Sequence, residues 1–306
     1  MNKIVISKEV NPYYNLALEE ELFENVKEDE MILYLWQNEK TIVIGRNQNP
    51  YVECDIDAIE KDNISLARRL SGGGTVYHDL GNLNFTFITS KNNENLNKQL
   101  KVIKKALEMF NLSVEFSGRN DLLCDGKKFS GHAFYEENNS YYHHGTLMVD
   151  VDITMLQKFL KPSKLKLQSK GIKSVKSRVI NLKDKVPNIT IDSLIDALKE
   201  AFKIVYGNVK EESILNKDCY SPRYIDKYSC KKWIYGESPK YTINLEQTLN
   251  IGNIQVLLDV ESGIINNVKI YSDTLLNINF EHIENKLIHK EFDRNKITKF
   301  LKDQLN

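Results

Sequence analysis

Three consecutive glycines, Gly72-Gly73-Gly74, lie between Arg68-Arg69-Leu70-Ser71 and Thr75-Val76-Tyr77-His78-Asp79. No other stretch restricts the fold as strongly. Glycine has no Cβ, so a run of three can take positive φ and let the backbone approach another group closely. Ile64 to Arg69 reads as a strand entering this loop, and Leu83 to Ile88 as a strand after it. Successive backbone N–H groups in such a turn form a concave anion site, and guanidinium forks suit carboxylate or phosphate. The loop is therefore expected to wrap an acid and the phosphate that activates it. It contains neither G-x-x-x-x-G-K-[ST] nor G-x-G-x-x-G.

Asn15 to Val26 reads as a helix, with Leu16, Leu18, Leu22 and Phe23 on its apolar side and Pro12 near its start. Met31 to Trp36 and Thr41 to Ile44 are apolar runs split by Gln37-Asn38-Glu39-Lys40, a strand–turn–strand pattern. Gly45 to Pro50 follows as a turn with many side-chain donors. Leu96, Leu100, Ile103, Leu107 and Phe110 recur at helical spacing, as do Ile191, Leu194, Ile195, Leu198, Phe202 and Val205. These stripes are core faces.

Residues 114–151 read as strands broken by turns, with a hairpin turn over Glu136-Glu137-Asn138-Asn139-Ser140. Centring it on Asn138 sets Ser130 opposite Thr146 and His132 opposite His144. Alternation then predicts one polar face of Lys128, Ser130, His132, His144 and Thr146. Phe129, Ala133, Tyr135, Leu147 and Val149 form the other. A slip of one residue breaks this match. Lys158 to Lys185 holds ten Lys or Arg against one acid, Asp184, and suits a loop region. After Tyr235-Gly236-Glu237-Ser238-Pro239 the pattern restarts with a hairpin, Ile254–Val260 and Val268–Tyr271, followed by helices. Two domains are expected, 1–240 and 241–306.

A chain of 306 residues has room for a large domain and a small one. Its 42 basic residues balance 42 acidic ones, which gives no general attraction to nucleic acid or an anionic membrane. No apolar run nears the roughly 20 residues of a membrane span. Met1 to Ser7 lacks the apolar core and cleavage site of a secretory leader, so a cytoplasmic protein is expected. Cys54, Cys124, Cys219 and Cys230 form no C-x-x-C pair. That argues against zinc and for free thiols.

Arg68-Arg69-x-Ser71-Gly72-Gly73-Gly74-x-Val76-x-His78-Asp79 resembles the lipoate-binding loop of lipoate–protein ligases. Further segments agree in order. Gly118-Arg119-Asn120-Asp121 and Asp125-Gly126-Lys127-Lys128-Phe129-Ser130-Gly131-His132-Ala133 resemble the central strand with its Lys-x-Ser-Gly signature. His143-His144-Gly145-Thr146 resembles the His-Gly-Thr strand, and Lys170 to Val179 the loop that closes over the adenylate. Asn11 to Ala17 and the small C-terminal domain extend the likeness over nearly the whole chain. The resemblance implies a biotin/lipoate-ligase-like α/β fold, mixed sheets flanked by helices with a small α/β accessory domain. It implies an ATP-dependent ligase that makes lipoyl-AMP and passes the lipoyl group to a lysine of an acceptor protein. The acceptor is a glycine-cleavage H-type carrier or an E2 lipoyl domain.

Lys128 matches the family's essential lysine, because it directly precedes Phe129-Ser130-Gly131; Lys127 is read as an exposed surface lysine. Joining a carboxylate to a phosphate brings two anions together, which calls for a fixed cation and backbone donors. The resemblance assigns the nucleotide to Arg69, Gly74, Thr75, Val76, Tyr77, Asp121, Lys128, Lys170 and Gly171. It assigns lipoate to Arg69, Ser71, Gly72, Gly73, Gly74, His78, Asn82, Lys128, His144 and Thr146. Arg68 is read as either a phosphate ligand or a structural partner, His143 as structural, and His132 is left open. Asp121 is a candidate Mg²⁺ ligand, since Mg²⁺ is held by one or two carboxylates plus substrate phosphates. No tightly bound organic cofactor is expected, and a monomer is the default. Rivals stand beside this reading: an ATP-independent octanoyl- or lipoyl-transferase using Cys124 as nucleophile, a biotin ligase, whose glycine-arginine loop has a different pattern, and a binding module without catalysis.

Overall fold

The structure, a computed structural model, describes residues 1–117, 121–160, 179–236 and 242–305, with only the backbone of Leu156 and Gln157. In chain order its strands are β1 Asn2–Ser7, β2 Met31–Trp36, β3 Thr41–Ile44, β4 Ser65–Arg68, β5 Val76–His78 and β6 Asn82–Ser90. Then follow β7 Glu115–Phe116, β8 Asp121–Cys124, β9 Lys127–Glu137, β10 Ser140–Met148 and β11 Val209–Leu215. The last three are β12 Ile243–Leu249, β13 Gly252–Glu261 and β14 Ile264–Ser272. The main helices are α1 Pro12–Asn25, α2 Leu96–Glu108, α3 Ile191–Tyr206, α4 Phe280–Leu287 and α5 Arg294–Leu305. This is the expected α/β architecture of mixed sheets flanked by helices.

One sheet has eight strands in the order β11-β1-β2-β6-β10-β9-β8-β7. Both faces are covered, which is why Met31–Trp36 is buried at every position. On one face Leu33, Leu35, Phe85, Phe87 and Leu147 pack under α2 and α3. On the other, Tyr34, Trp36 and Tyr142 pack against Leu16, Leu18 and Phe23 of α1. Fully burying each such side chain contributes roughly 1.5–3 kcal/mol. Asn11 caps α1 by accepting from the Tyr13 and Tyr14 amides, and Pro12 opens the helix.

Met31–Trp36 and Thr41–Ile44 are strands, but they do not pair with each other. β3 leaves for a separate sheet, β4-β3-β5, whose β3–β4 pair is parallel. The glycine loop connects β4 to β5, so this small sheet presents the loop to the α1 face of the large one. A third sheet, β12-β13-β14, packs with α4 and α5 around its own core of Val256, Leu258, Ile270, Ile283 and Leu301. Its hairpin turns at Ser262-Gly263, both at positive φ.

The β9–β10 register differs from expectation by one residue. Glu137 pairs with Ser140, His144 with Ala133 and His132 with Gly145. The turn holds two residues, Asn138-Asn139, and Asn138 takes φ +53°, which asparagine tolerates. Ser130 and His132 therefore lie on the α2–α3 face, away from His144 and Thr146.

Candidate active site

Strict alternation along β9 would send Lys128 with Ser130 to the α2–α3 face. A β-bulge prevents this. Leu122 of β8 pairs with Ser130, but Leu123 pairs with Lys128, which leaves Phe129 as the extra residue. Phe129 and Ser130 are both fully buried, and Lys128 is turned to the opposite side. Bulges re-aim side chains in this way. The Lys128 ammonium lies over Gly131, where an added Cβ would stand 3.1 Å from Nζ and 4.0 Å from Thr146 Oγ1. Thr146 Oγ1 accepts from the Gly131 amide at 3.2 Å. Asp121 Oδ1 lies 2.7 Å from Lys128 Nζ. The bulge thus restores Lys128 to the face of His144 and Thr146, while Ser130 and His132 stay behind.

The glycine loop is held by two buried arginines, neither paired with a carboxylate among the described residues. Arg68 donates to the carbonyls of Trp233, Ile234, Gly45, Arg46 and Gln48. That is the structural reading of this residue. Arg69 Nε donates to Ser71 Oγ at 3.0 Å, and its terminal nitrogens donate to the Val43, Gly72 and Gly74 carbonyls. Burial lowers both guanidinium pKa values to about 10. Arg69 is expected as a direct ligand of both substrates; here three of its bonds go to its own loop, at Ser71, Gly72 and Gly74, and one to Val43 of β3. Gly73 N–H donates to the Thr274 carbonyl at 2.6 Å.

Ser71 ties the loop to the large sheet. Its hydroxyl lies 2.8 Å from His144 Nε2, and His144 Nδ1 lies 2.9 Å from Glu19 Oε1. Glu19 also accepts from Thr86 Oγ1 at 2.6 Å, and Thr86 accepts from Trp36 Nε1 at 3.1 Å. Glu19, Thr86 and Trp36 were missed by sequence reasoning. Glu19 had a signal: it sits at helical spacing between Leu16 and Phe23, on the buried stripe of α1.

His78 and Asn82 are buried beside this network, with Asn82 Nδ2 donating to Asn84 Oδ1 at 3.0 Å. Thr75 Oγ1 donates to Gln48 Oε1 at 2.9 Å. The Tyr77 ring stacks on Phe159 in a core. Val76 to His78 use one backbone edge on β3, and β5 is the outer strand of its sheet. Gly74 is open, with no heavy atom within 4 Å of an added Cβ. Lys170, Gly171 and Gly118-Arg119-Asn120 lie outside the described residues. Lys127 is exposed.

Cys124 is buried with Leu122 in the α2–α3 core, and burial followed by Asp125 raises its thiol pKa. A nucleophilic cysteine needs the reverse. Among the described residues, no group of three His, Cys, Asp or Glu is gathered for a metal, and no helix is long and apolar enough to cross a membrane.

On the far face His132 Nε2 meets Ser130 Oγ at 2.9 Å, His132 Nδ1 meets His143 Nε2 at 2.6 Å, and His143 Nδ1 meets Gln99 Oε1 at 2.9 Å. Both rings are structural. Burial, reinforced by neighbouring cations, lowers His78 and His132 to about 3, and burial drives His143 well below its ordinary value. Unfolded imidazoles titrate near 6.5. Between these values only the unfolded chain takes up the protons, so stability rises with pH across the window and falls as pH drops below about 6.5. Each ring contributes up to about 1.4 kcal/mol per pH unit there. The urea midpoint is expected to fall steeply between pH 7 and pH 5. A flat midpoint would show that the three rings are not held neutral.

Residues 11–203 match the family model for the lipoyl protein ligase A/B catalytic domain, and residues 238–306 that for the bacterial lipoate protein ligase C-terminus. A protein named lipoate-protein ligase A from Blochmanniella floridana is 39% identical over 94% of this chain and 88% of its own length. The P. falciparum LipL1 crystal structure, solved in complex with lipoate, superposes with a TM-score of 0.82 at 30% identity. It covers all of this chain, which covers 95% of it. A lipoate-protein ligase A structure bound with ATP gives a TM-score of 0.66 at 26% identity over 77% of this chain and 98% of its own. The glycine loop, the bulged lysine strand and the His-Gly-Thr strand thus occur together in a chain that belongs to the lipoyl protein ligase A/B catalytic-domain family.

Proposed function

We propose that this protein is an ATP-dependent lipoate–protein ligase, making lipoyl-AMP and then transferring the lipoyl group to an acceptor lysine. One observation carries the reading: a bulge turns the Lys128 ammonium onto the sheet face where loop residue Ser71 bonds His144. In the first step a lipoate carboxylate oxygen bonds to the α-phosphorus of ATP. The bond from that phosphorus to the bridging oxygen breaks, and pyrophosphate leaves with the electron pair. Lys128 lets go of Asp121 and lies between the two anions, offsetting their repulsion and the developing charge.

Asp121, so freed, fits the single-carboxylate share that Mg²⁺ takes when phosphates supply other ligands. The Gly74 to Tyr77 backbone, with Lys170 and Gly171, takes the nucleotide. Ser71, Gly72, Gly73, His78, Asn82, His144 and Thr146 line the lipoate side, with Arg69 shaping the loop from behind. In the second step the acceptor ε-amine, as the neutral amine, attacks the acyl carbon, and the proton its nitrogen then sheds passes to solvent or to the departing phosphate. The acyl–oxygen bond breaks and AMP departs, its phosphate still beside Lys128.

On this reading 1–240 is the catalytic domain and 241–306 an accessory domain of a cytoplasmic monomer. The acceptor is an E2 lipoyl domain or a glycine-cleavage H-type carrier. The test is lipoate-dependent exchange of labelled pyrophosphate into ATP, then intact-mass detection of each apo-acceptor after incubation with ATP, Mg²⁺ and lipoate. Exchange that ignores lipoate, or acylation without ATP, overturns the proposal.

A further inference from the structure

The sheet face beneath the glycine loop carries hydrogen-bonding side chains of two kinds. Trp36, Thr86, Glu19, His144 and Ser71 bond one another in a closed chain. Beside them the Tyr142 hydroxyl and two N–H donors have no partner among the described residues, and the N–H donors are those of His78 and Asn84. Asn38 Oδ1 accepts from Asn15 Nδ2 at 3.0 Å, so Asn38 Nδ2 is the atom that donates to His78 Nδ1, at 3.2 Å. The His78 proton is thereby placed on Nε2, which has no partner among the described residues. Asn84 Oδ1 accepts from Asn82, which fixes the amide, and Asn84 Nδ2 likewise has no partner among the described residues.

Both side chains are buried, His78 at 3% and Asn84 at 2% exposure. They converge on Trp36. Asn84 is its cross-strand neighbour between β2 and β6, and the His78 ring meets the indole edge-on at 6.2 Å. An unpaired buried N–H is costly and uncommon, so two against one indole point to an acceptor supplied by a ligand.

β10 separates Asn84 on β6 from Gly131 and Lys128 on β9. Two strand spacings make roughly 10 Å, within the reach of an eight-carbon acyl arm. With the carboxylate at Lys128, it is the far end of the arm that comes to the two donors.

We infer that His78 and Asn84 select the acyl tail, favouring an acid with sulfur acceptors at its far end over a straight hydrocarbon of equal length. The inference rests on the ligase reading above. Ring sulfurs are polarisable and accept weak hydrogen bonds. A terminal methyl accepts none and leaves both donors facing hydrocarbon. Sites with buried polar groups reject an analogue that leaves them unpaired more strongly than apolar pockets reject a change of size.

The experiment compares lipoate with octanoate in pyrophosphate exchange, using the full chain, Asn84→Leu and His78→Phe. The wild type is expected to prefer lipoate at least ~10-fold in kcat/KM. Each variant is expected to narrow the preference to within about threefold, by raising the octanoate value. Both acids are read in one preparation, so partial unfolding lowers both values and leaves the ratio intact. Equal use of the acids by the wild type, or an unchanged ratio in both variants, overturns the inference and leaves the ligase reading standing. Exchange with neither acid overturns both.

Discussion

Lys128→Ala is expected to lower lipoate-dependent pyrophosphate exchange by at least ~1,000-fold, a loss of about 4 kcal/mol from the transition state. The fold is expected to survive. Lys128 and Asp121 are each about one-third exposed, at 36% and 30%, and such an ion pair contributes about 0–1 kcal/mol to stability. Truncation opens no core cavity, because the lysine stem lies over Gly131 rather than inside a packed cluster. The loss is therefore chemical: the two anions meet without the cation that offsets them. Lys127→Ala is the control. Lys127 stands next in sequence but is exposed, and that variant should keep wild-type exchange. Full exchange by Lys128→Ala, with an unchanged melting curve, would remove Lys128 from the reaction.

Much of this site was legible because its chemistry is local. The glycine loop, the Lys-x-Ser-Gly strand and the His-Gly-Thr strand are contiguous words, and the strands around them follow from short apolar runs bounded by turn residues. What sequence could not supply was relative placement. Asn138-Asn139 is compatible with a turn centred on either residue or between them, and that single step moved His132 and Ser130 to the far face. The bulge at Phe129 leaves no mark in a lone sequence, since a buried phenylalanine fits either side of a strand covered on both faces. Two errors of opposite sense therefore left Lys128 where the wrong register had put it. Arg69 illustrates a second limit. Two arginines before a glycine run suggest anion ligands, and the sequence did not say that Arg69 also bonds three carbonyls and Ser71 in its own neighbourhood. The strand–turn–strand pattern of Met31–Trp36 and Thr41–Ile44 is present, but it did not say that the two strands join different sheets. Periodicity identifies strands but not their partners: β3 became the centre of the small sheet, between β4 and β5.

The glycines around the loop are not equivalent, and Gly45→Ala is expected to damage both the fold and the reaction. A Cβ at Gly45 would lie 2.2 Å from the Gly73 carbonyl oxygen and 3.3 Å from the Gly72 carbonyl carbon. Neither side can yield easily. Gly45 is fixed by its amide on Gln48 Oε1 and its carbonyl on Arg68, while the loop opposite is fixed by Arg69 on the Gly72 and Gly74 carbonyls. Relief requires the loop backbone to shift by on the order of 1 Å to reach ordinary contact distance. Overpacking of this kind costs roughly 1–3 kcal/mol or more, and a misplacement of that size costs about 100-fold in rate. Gly45→Ala should thus lower both the melting temperature and the exchange rate. Gly74→Ala should separate the two effects. Nothing lies within 4 Å of its added Cβ, and Gly74 is not among the positive-φ glycines. The fold should therefore melt as the wild type does, while the methyl obstructs backbone approach and raises KM for ATP several-fold (about 1 kcal/mol). Melting curves and ATP titrations of the two variants decide the matter. Wild-type stability and exchange in Gly45→Ala would mean that the loop is free to move. An unchanged KM for ATP in Gly74→Ala would mean that the nucleotide lies elsewhere.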